Sequence, residues 1–392
     1  NSKKACDDYH DDMLCGAGVA WKLAAAILAR VRQRGIANIP EGWEKWMLDM
    51  AGLSTIADMV PLKKENRALA HFGLTVLRKS PRMGLRALLL KARVMQEHLV
   101  EDDIAFTIAP RINAASRMDT PFDAFRLLAS TDNTEAEELA EKLTRLNDER
   151  KLAVARIMKE VKKEIAERAE RDVIMIGNPA WRVGVLGIVA GKIAEEYGKA
   201  AFVWGREGSH TIKGSCRSDG SVNVVALMRA VPEDIFLDAG GHEFSGGFSV
   251  SHEKIHLVED ALISAYARVK KDTTESEETI ADMELAIGDA TWDTYNEIAR
   301  LAPFGEGNPK PLFAFHTVLV SNVRRFGKEN EHIGLDLADG GRIIPAISFF
   351  GAKDDTLASI EKGDTISLLA HMEKSMFRNR PELRLRIVAV SR

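Results

Sequence analysis

Five short stretches hold residue types that could do chemistry on a phosphate or a metal ion. Asp58 ends the run Thr55-Ile-Ala-Asp, just before a Val-Pro break. A carboxylate there could ligate Mg²⁺ or Mn²⁺, which take oxygen donors; the plainer alternative is a helix-end or turn aspartate. Pro110-Arg-Ile-Asn-Ala-Ala-Ser-Arg sets Arg111 and Arg117 around Asn113. The two arginines could grip phosphate oxygens through charge-assisted forks, or pair with acids such as Asp103 or Asp119. Gly214-Ser-Cys-Arg-Ser gathers backbone amides, the hydroxyls of Ser215 and Ser218, and Arg217. That composition suits an anion cradle, and it also suits a strand whose arginine faces solvent.

Gly240-Gly-His-Glu-Phe-Ser-Gly-Gly is the least ordinary run. Gly240 and Gly241 bring backbone close to something, and His242 could touch a phosphate or stand beside a metal centre. A structural histidine on a glycine-rich turn is the alternative. Gly184 and Gly187 fall where an apolar helix should start, and a helix N-terminus attracts anions. Their spacing is not a dinucleotide fingerprint. Walker, Gly-x-Ser-x-Gly and His-Glu-x-x-His patterns do not occur.

These stretches must be positioned by a chain of 392 residues, enough for two to four domains at roughly 100–200 residues each. Hydrophobic residues at 45 % and charged residues at 29 % exclude a disordered or fibrous protein. The net charge of -4 supplies no global field toward nucleic acid, so such binding would need local patches. Aromatics at 6 % argue against broad base-stacking surfaces. Cys6, Cys15 and Cys216 are too few and too scattered for a disulfide framework or a zinc site, which fits a reducing cytoplasm. Apolar runs fall far short of the ~20 residues a membrane span needs, and no signal peptide is visible. The chain opens on Asn1 with polar residues and reads as starting inside something larger.

Up to about residue 129 the pattern predicts helices without clear alternation, with Trp43, Trp46 and Met47 at core spacing on the second. A long charge-laced helix over 133–171 has neither Gly nor Pro and reads as a solvated connector. Alternating strands and helices then predict an α/β domain at 171–270. An acidic Ser/Thr run at 271–278 reads as a linker. Five strands follow between 313 and 390, with a helix between the third and fourth. That is the order of a small Greek-key barrel of the OB type.

Six motifs occur in order. They are Thr55-Ile-Ala-Asp-Met-Val-Pro-Leu with Glu65-Asn-Arg, Pro110-Arg-Ile-Asn-Ala-Ala-Ser-Arg-Met, Gly184-Val-Leu-Gly-Ile-Val-Ala, Gly214-Ser-Cys-Arg-Ser, Gly240-Gly-His, and Pro303-Phe-Gly-Glu-Gly-Asn-Pro. Together they resemble the RecJ family, single-stranded-DNA-specific 5′-to-3′ exonucleases of the DHH phosphoesterase superfamily. The resemblance implies a multidomain α/β plus β architecture. Residues 1–130 would be the C-terminal half of a DHH domain and 131–170 a connector helix. Residues 171–270 would be the DHH-associated domain and 280–392 an OB-fold domain.

The resemblance also implies function. Two Mn²⁺ or Mg²⁺ ions would drive phosphodiester hydrolysis, with Asp58 a metal ligand and His242 at the catalytic site. Arg111, Asn113, Arg117, Gly214, Ser215, Arg217, Ser218, Gly240 and Gly241 would bind single-stranded DNA in a cleft too narrow for duplex. Repair proteins such as a helicase or a single-strand-binding protein would be partners. The family's other metal ligands precede the segment that here begins at Leu14, and Asp7-Asp-Tyr-His-Asp-Asp is not its Asp-His-His triplet. This chain is therefore expected to be catalytically incomplete. The rival readings are a non-catalytic DNA-binding or replication scaffold and a small-substrate phosphodiesterase. The barrel argues against the latter.

Overall fold

The computed structural model describes residues 13–206, 211–270, 280–339, 341–376 and 380–392. Cys6, the acidic run at 7–12 and the expected linker at 271–278 lie outside the described residues. The chain packs into two compact units. One combines the chain up to Arg78 with the chain from Glu277 onward, and the other is Lys79–Ser276. Among the described residues no helix is long and apolar enough to cross a membrane.

The first unit opens with α1 (Gly16–Gln33), α2 (Leu48–Ala57) and α3 (Lys64–Leu77). Helices α2 and α3 meet backbone to backbone, since a Cβ on Gly52 would lie 2.6 Å from the Gly73 Cα. Ala51, Leu53 and Ile56 of α2 are buried. Trp43 and Trp46, expected in the core, stand on a 3₁₀ turn (Trp43–Met47) and are 49 % and 50 % exposed. Side chains three apart eclipse on such a turn, so both rings leave on one side, away from the face that α2 buries.

The second unit begins with α4 (Met83–Ala92), α5 (Ala109–Met118) and α6 (Phe122–Ala129). A π-helical turn, Ile104–Ile108, leads into α5, whose Pro110 occupies the first turn where a missing N–H costs nothing. Helix α7 (Asn133–Ala166) begins at the Asp132 cap, whose side chain accepts from the Glu135 amide. It is not a solvated connector throughout. Ala136, Leu139, Leu143, Leu146, Val154, Ile157 and Val161 form a buried stripe at helical spacing. The charges that dominate its composition occupy the other faces.

The mixed sheet comprises β1 (Val173–Gly177), β2 (Ala200–Gly205), β3 (Ile212–Arg217), β4 (Asp238–His242) and β5 (Ser245–Val250), in the order β1-β2-β3-β5-β4. Only β1 and β2 run parallel, joined through α8 (Leu186–Tyr197). Helices α9 (Val224–Arg229) and α10 (Ile255–Val269) complete the layer. Period-two alternation splits the core. Ile176 and Val203 pack with α7 and α8, while Val173, Met175 and Phe202 pack with α9 and α10.

The rest of the first unit holds β6 (Met283–Glu284), α11 (Trp292–Ala299), β7 (Phe313–Phe326), β8 (His332–Asp339), β9 (Arg342–Ser348), α12 (Asp355–Ala358), β10 (Thr365–Ser375) and β11 (Glu382–Ser391). Strands β7-β8-β9-β11-β10 close on themselves, because β10 also pairs β7. The barrel encloses Phe315, Val320, Leu335, Leu337, Ala370 and Leu385. The expected strand count and helix position agree with this closed barrel.

Candidate functional site

Helix α5 carries three of the expected site residues. Asn113 and Arg117 are four residues apart and so share a face of α5, while Arg111 points elsewhere. Arg111 donates to the Thr107 carbonyl at 2.6 Å, and its Nε is buried without a partner. The end of α5 is pinned to the turn before α8. Arg117 donates to the Gly184 carbonyl at 3.3 Å, and a Cβ on Gly184 would sit 2.1 Å from the Arg117 carbonyl oxygen. Gly184 is thus a packing glycine, and its place is the 3₁₀ turn that leads into α8. The acids proposed as alternative partners are engaged otherwise. Asp119 pairs with Lys142 at 2.8 Å, and Asp103 accepts from the Val100 amide.

Strand β3 lies between β2 and β5, so the backbone of Gly214 and Ser215 belongs to the sheet ladders on both sides. Gly214 is buried under Phe248, whose ring a Cβ there would meet at 2.0 Å. What this stretch can offer an anion is therefore side chains and not the amides of Gly214 and Ser215. Ser215 and Arg217 project over the first turn of α8. A Cβ on Gly187 would lie 3.3 Å from an Arg217 Nη and 3.7 Å from the Ser215 Oγ. A helix N-terminus, a guanidinium and a hydroxyl thus converge. Ser218 uses its Oγ as an acceptor for the Gly220 and Val222 amides, at 3.1 and 3.4 Å.

The electrostatics of this corner are one-sided. Among the described residues Arg117, Arg150 and Arg217 pair with no carboxylate. Burial first, and then the Arg217 guanidinium, holds Arg117 below the ordinary arginine range. Burial and then Arg117 do the same to Arg150. Arg150 and Asn147 were missed by reading α7 as solvated. Arg150 donates to Asn147 Oδ1 at 3.0 Å, yet its Nε and the Asn147 Nδ2 are buried with no partner. Unpaired like charges beside orphaned donors cost free energy in a folded protein, and an anion would remove that cost.

The Gly-Gly-His run does not form a turn. It is strand β4 at the sheet edge, and every residue of it is exposed. Gly241 is at φ +149, where a Cβ would lie 2.3 Å from the Ser245 carbonyl oxygen, so only glycine fits. The hairpin tip is held by Ser218 N–H to Phe244 O at 3.0 Å and Val224 N–H to Glu243 O at 2.8 Å. Gly241 and His242 line a hollow of about 550 Å³ together with Asn223, Ala226, Arg229 and Glu243. Cys216, under this hairpin, is inert: burial pushes its thiol up to about 12.

Asp58 belongs to the other unit. It caps the end of α2 in the open and accepts from Ser54 Oγ at 3.0 Å. The turn after it is stapled by the Pro303-Phe-Gly-Glu-Gly-Asn-Pro segment. Leu62 N–H donates to the Glu306 carbonyl at 2.6 Å, and Arg67 reaches the Leu301 carbonyl at 2.7 Å. Among the described residues no group of three or more His, Cys, Asp or Glu side chains could hold a metal ion. One exposed carboxylate does not make a two-ion centre.

Fold and site define a DHH-associated domain followed by an OB barrel. The DHHA1 domain model matches residues 127–269, and the RecJ OB domain model matches 281–389. The chain is 31 % identical over 386 residues to the single-stranded-DNA-specific exonuclease RecJ of Bacillus subtilis, covering 96 % of this chain and 47 % of that protein. Against Escherichia coli RecJ the identity is 28 %, covering 87 % and 61 %. The crystal structure of Thermus thermophilus RecJ in complex with Mn²⁺ superposes with a TM-score of 0.81 at 27 % identity, covering 98 % of this chain and 54 % of that one. The chain carries the DHHA1 and RecJ OB domains and is similar to RecJ over nearly its whole length, and it spans about half the length of the curated relatives it matches.

Proposed function

We propose that this chain supplies the strand-holding part of a RecJ-type exonuclease that hydrolyses single-stranded DNA from the 5′ end with Mn²⁺ or Mg²⁺, in the cytoplasm. The observation that carries the reading is the acid-free arginine cluster over the α8 N-terminus. Arg117, Arg150 and Arg217, with Ser215, would hold backbone phosphates. Arg111, Asn113, Ser218 and the Gly240-Gly241-His242 edge would flank the strand. Phosphate contacts position a strand without reading its bases, which suits an enzyme that degrades any sequence.

Asp58 would be a single ligand toward the metal centre. The described residues do not complete that centre. In this reading 1–130 is the second half of the DHH domain and 131–170 the connector. A non-catalytic scaffold is favoured over this by one observation alone, the sparse donor set.

A 5′-labelled oligonucleotide tests the proposal. The chain should bind it measurably and release little label with Mn²⁺. No binding at low salt would end the reading. Rapid release that vanishes in Asp58→Ala would show that this chain holds a working centre.

A further inference from the structure

Two motifs from distant parts of the sequence meet beside Asp58. The first spans 55–67 and holds the turn between α2 and α3. The second is Pro303-Phe-Gly-Glu-Gly-Asn-Pro, between α11 and β7. Leu62 N–H donates to the Glu306 carbonyl at 2.6 Å. Arg67 reaches across 234 residues of sequence to donate to the Leu301 carbonyl at 2.7 Å. Glycines let the second segment lie flat on the turn. A Cβ on Gly305 would come within 3.1 Å of the buried Leu62 side chain. One on Gly307, which is at φ +71, would come within 3.1 Å of Lys63 and 3.3 Å of Pro61.

A single side chain closes this second segment. Asn308 Nδ2 donates to the carbonyls of Leu301 and Pro303, at 3.1 and 2.8 Å. The backbones of Gly305 and Asn308 exchange both N–H···O bonds, at 3.0 and 3.1 Å. Gly305, Glu306 and Gly307 are exposed, so the loop adds little to any core. The turn beneath it needs holding. Met59 at φ +53 and Lys64 at φ +47 stand in the left-handed region that residues with a Cβ disfavour. Such backbone persists only where its surroundings fix it, and it gathers at functional sites. Asp58 immediately precedes Met59, and its exposed carboxylate accepts from Ser54 Oγ at 3.0 Å. The place of that carboxylate therefore follows the backbone of the turn.

We infer that the 301–308 loop is a positioning element for Asp58, acting through Asn308 and Arg67. Asn308 shapes the loop, and Arg67 and the Leu62 amide seat it. The seated loop keeps the strained turn, and with it the carboxylate, in one place. The inference rests on the proposed role of Asp58 toward the metal centre and adds the residues that hold it there. Both ends of the loop are anchored, by α11 before it and β7 after it.

The test uses the full chain with ¹³C-labelled methionine methyls and Mn²⁺ alone as the probe. Met59 is 72 % exposed and adjacent to Asp58, so weakly held Mn²⁺ should broaden its methyl signal ahead of those of Met83 and Met283, which are also exposed. Asp58→Ala should abolish that lead. Asn308→Ala combined with Arg67→Ala removes three hydrogen bonds. Hydrogen exchange at the Leu62 amide should then quicken about tenfold or more. The Mn²⁺ concentration that half-broadens Met59 should rise about threefold, the loss expected when about one turn in three stays seated. Arg67→Lys, which keeps a donor, should behave as the unaltered chain. Asn308→Ala alone should show both effects in part, and it carries the test if the double variant fails to fold. Unchanged half-broadening in these variants, with or without a fall in Tm, marks a merely structural loop and overturns the positioning role. The reading of Asp58 then stands, provided Asp58→Ala still abolishes the lead. If Mn²⁺ broadens Met59 equally with and without the Asp58 carboxylate, or not at all, both fall.

Discussion

The double substitution Asn147→Leu with Arg150→Met should make the protein more stable and a worse ligand for single-stranded DNA. Both residues stand in phase with the buried stripe of α7, between Leu146 and Val154, Asn147 buried and Arg150 half-buried, and the other members of the stripe are apolar. Two buried donors, Arg150 Nε and Asn147 Nδ2, lack partners in the native fold. Each such orphan costs about 1–3 kcal/mol, and the hydrogen bond between the two residues returns about 1 kcal/mol. Replacing both partners together leaves no widowed group, and it removes the repulsion between Arg150 and Arg117. A gain of at least ~1 kcal/mol raises Tm by about 2–4 °C in a unit of this size.

The same change removes one cation from the proposed phosphate track. For a single strand the logarithmic salt slope should become shallower by about 0.7. Over a fourfold change in salt that is about 2.5-fold less weakening than in the unaltered chain. Thermal melts and anisotropy titrations at several salt concentrations read both quantities on one preparation. A fall in Tm together with unchanged affinity would refute the argument. Arg150 and Asn147 would then be structural, and their unpaired atoms would be satisfied by water.

Three further outcomes check the rest of the site. Gly184→Ala should destabilise by about 1–3 kcal/mol or more, as overpacking does, because the new Cβ meets backbone 2.1 Å away; an unchanged unfolding midpoint would mean that α5 does not seat on that turn. Cys216 should resist a thiol reagent in the folded protein at pH 8–9 and react on unfolding, as mapped by mass spectrometry. Its folded value is raised to about 12, so its contribution to stability is fully present below the unfolded value near ~8.5 and is lost as pH rises toward about 12. Urea midpoints independent of pH across that window would contradict the burial assigned to it. Calorimetry with Mn²⁺ should show weak binding at most, and a tight stoichiometric site lost in Asp58→Ala would reveal ligands beyond those recognised.

The first two strands of the mixed sheet were legible as short apolar runs, and barrel strands such as β8 and β11 because Ile, Leu and Val alternate with polar residues. The edge strand β4 was not. Asp238-Ala-Gly-Gly-His has neither β-branched residues nor alternation, and its pairing is imposed by β5 and by the one backbone angle that Gly241 permits. Trp43 and Trp46 misled for the opposite reason: their spacing is helical, but a tighter turn carries them outward. The arginines of the site divide along the same line. Arg117 and Arg217 were found because each stands in a short motif of small residues.

Arg150 was passed over because α7 is so highly charged that one more cation looked ordinary. The signal was nevertheless present in its phase. It lies three residues after Asn147 and four before Val154, on the stripe that is otherwise apolar. A charged or amide side chain in phase with a buried stripe has no water to return to, so folding must leave it a partner, a cost or a ligand. Here a partner is missing from one of its atoms, Nε, and from one of its neighbour's, Asn147 Nδ2, and the charge that acts on it, Arg117, has the same sign. A long charged helix is therefore better read by the phase of each charge than by their number, and at Arg150 the phase points to an anion.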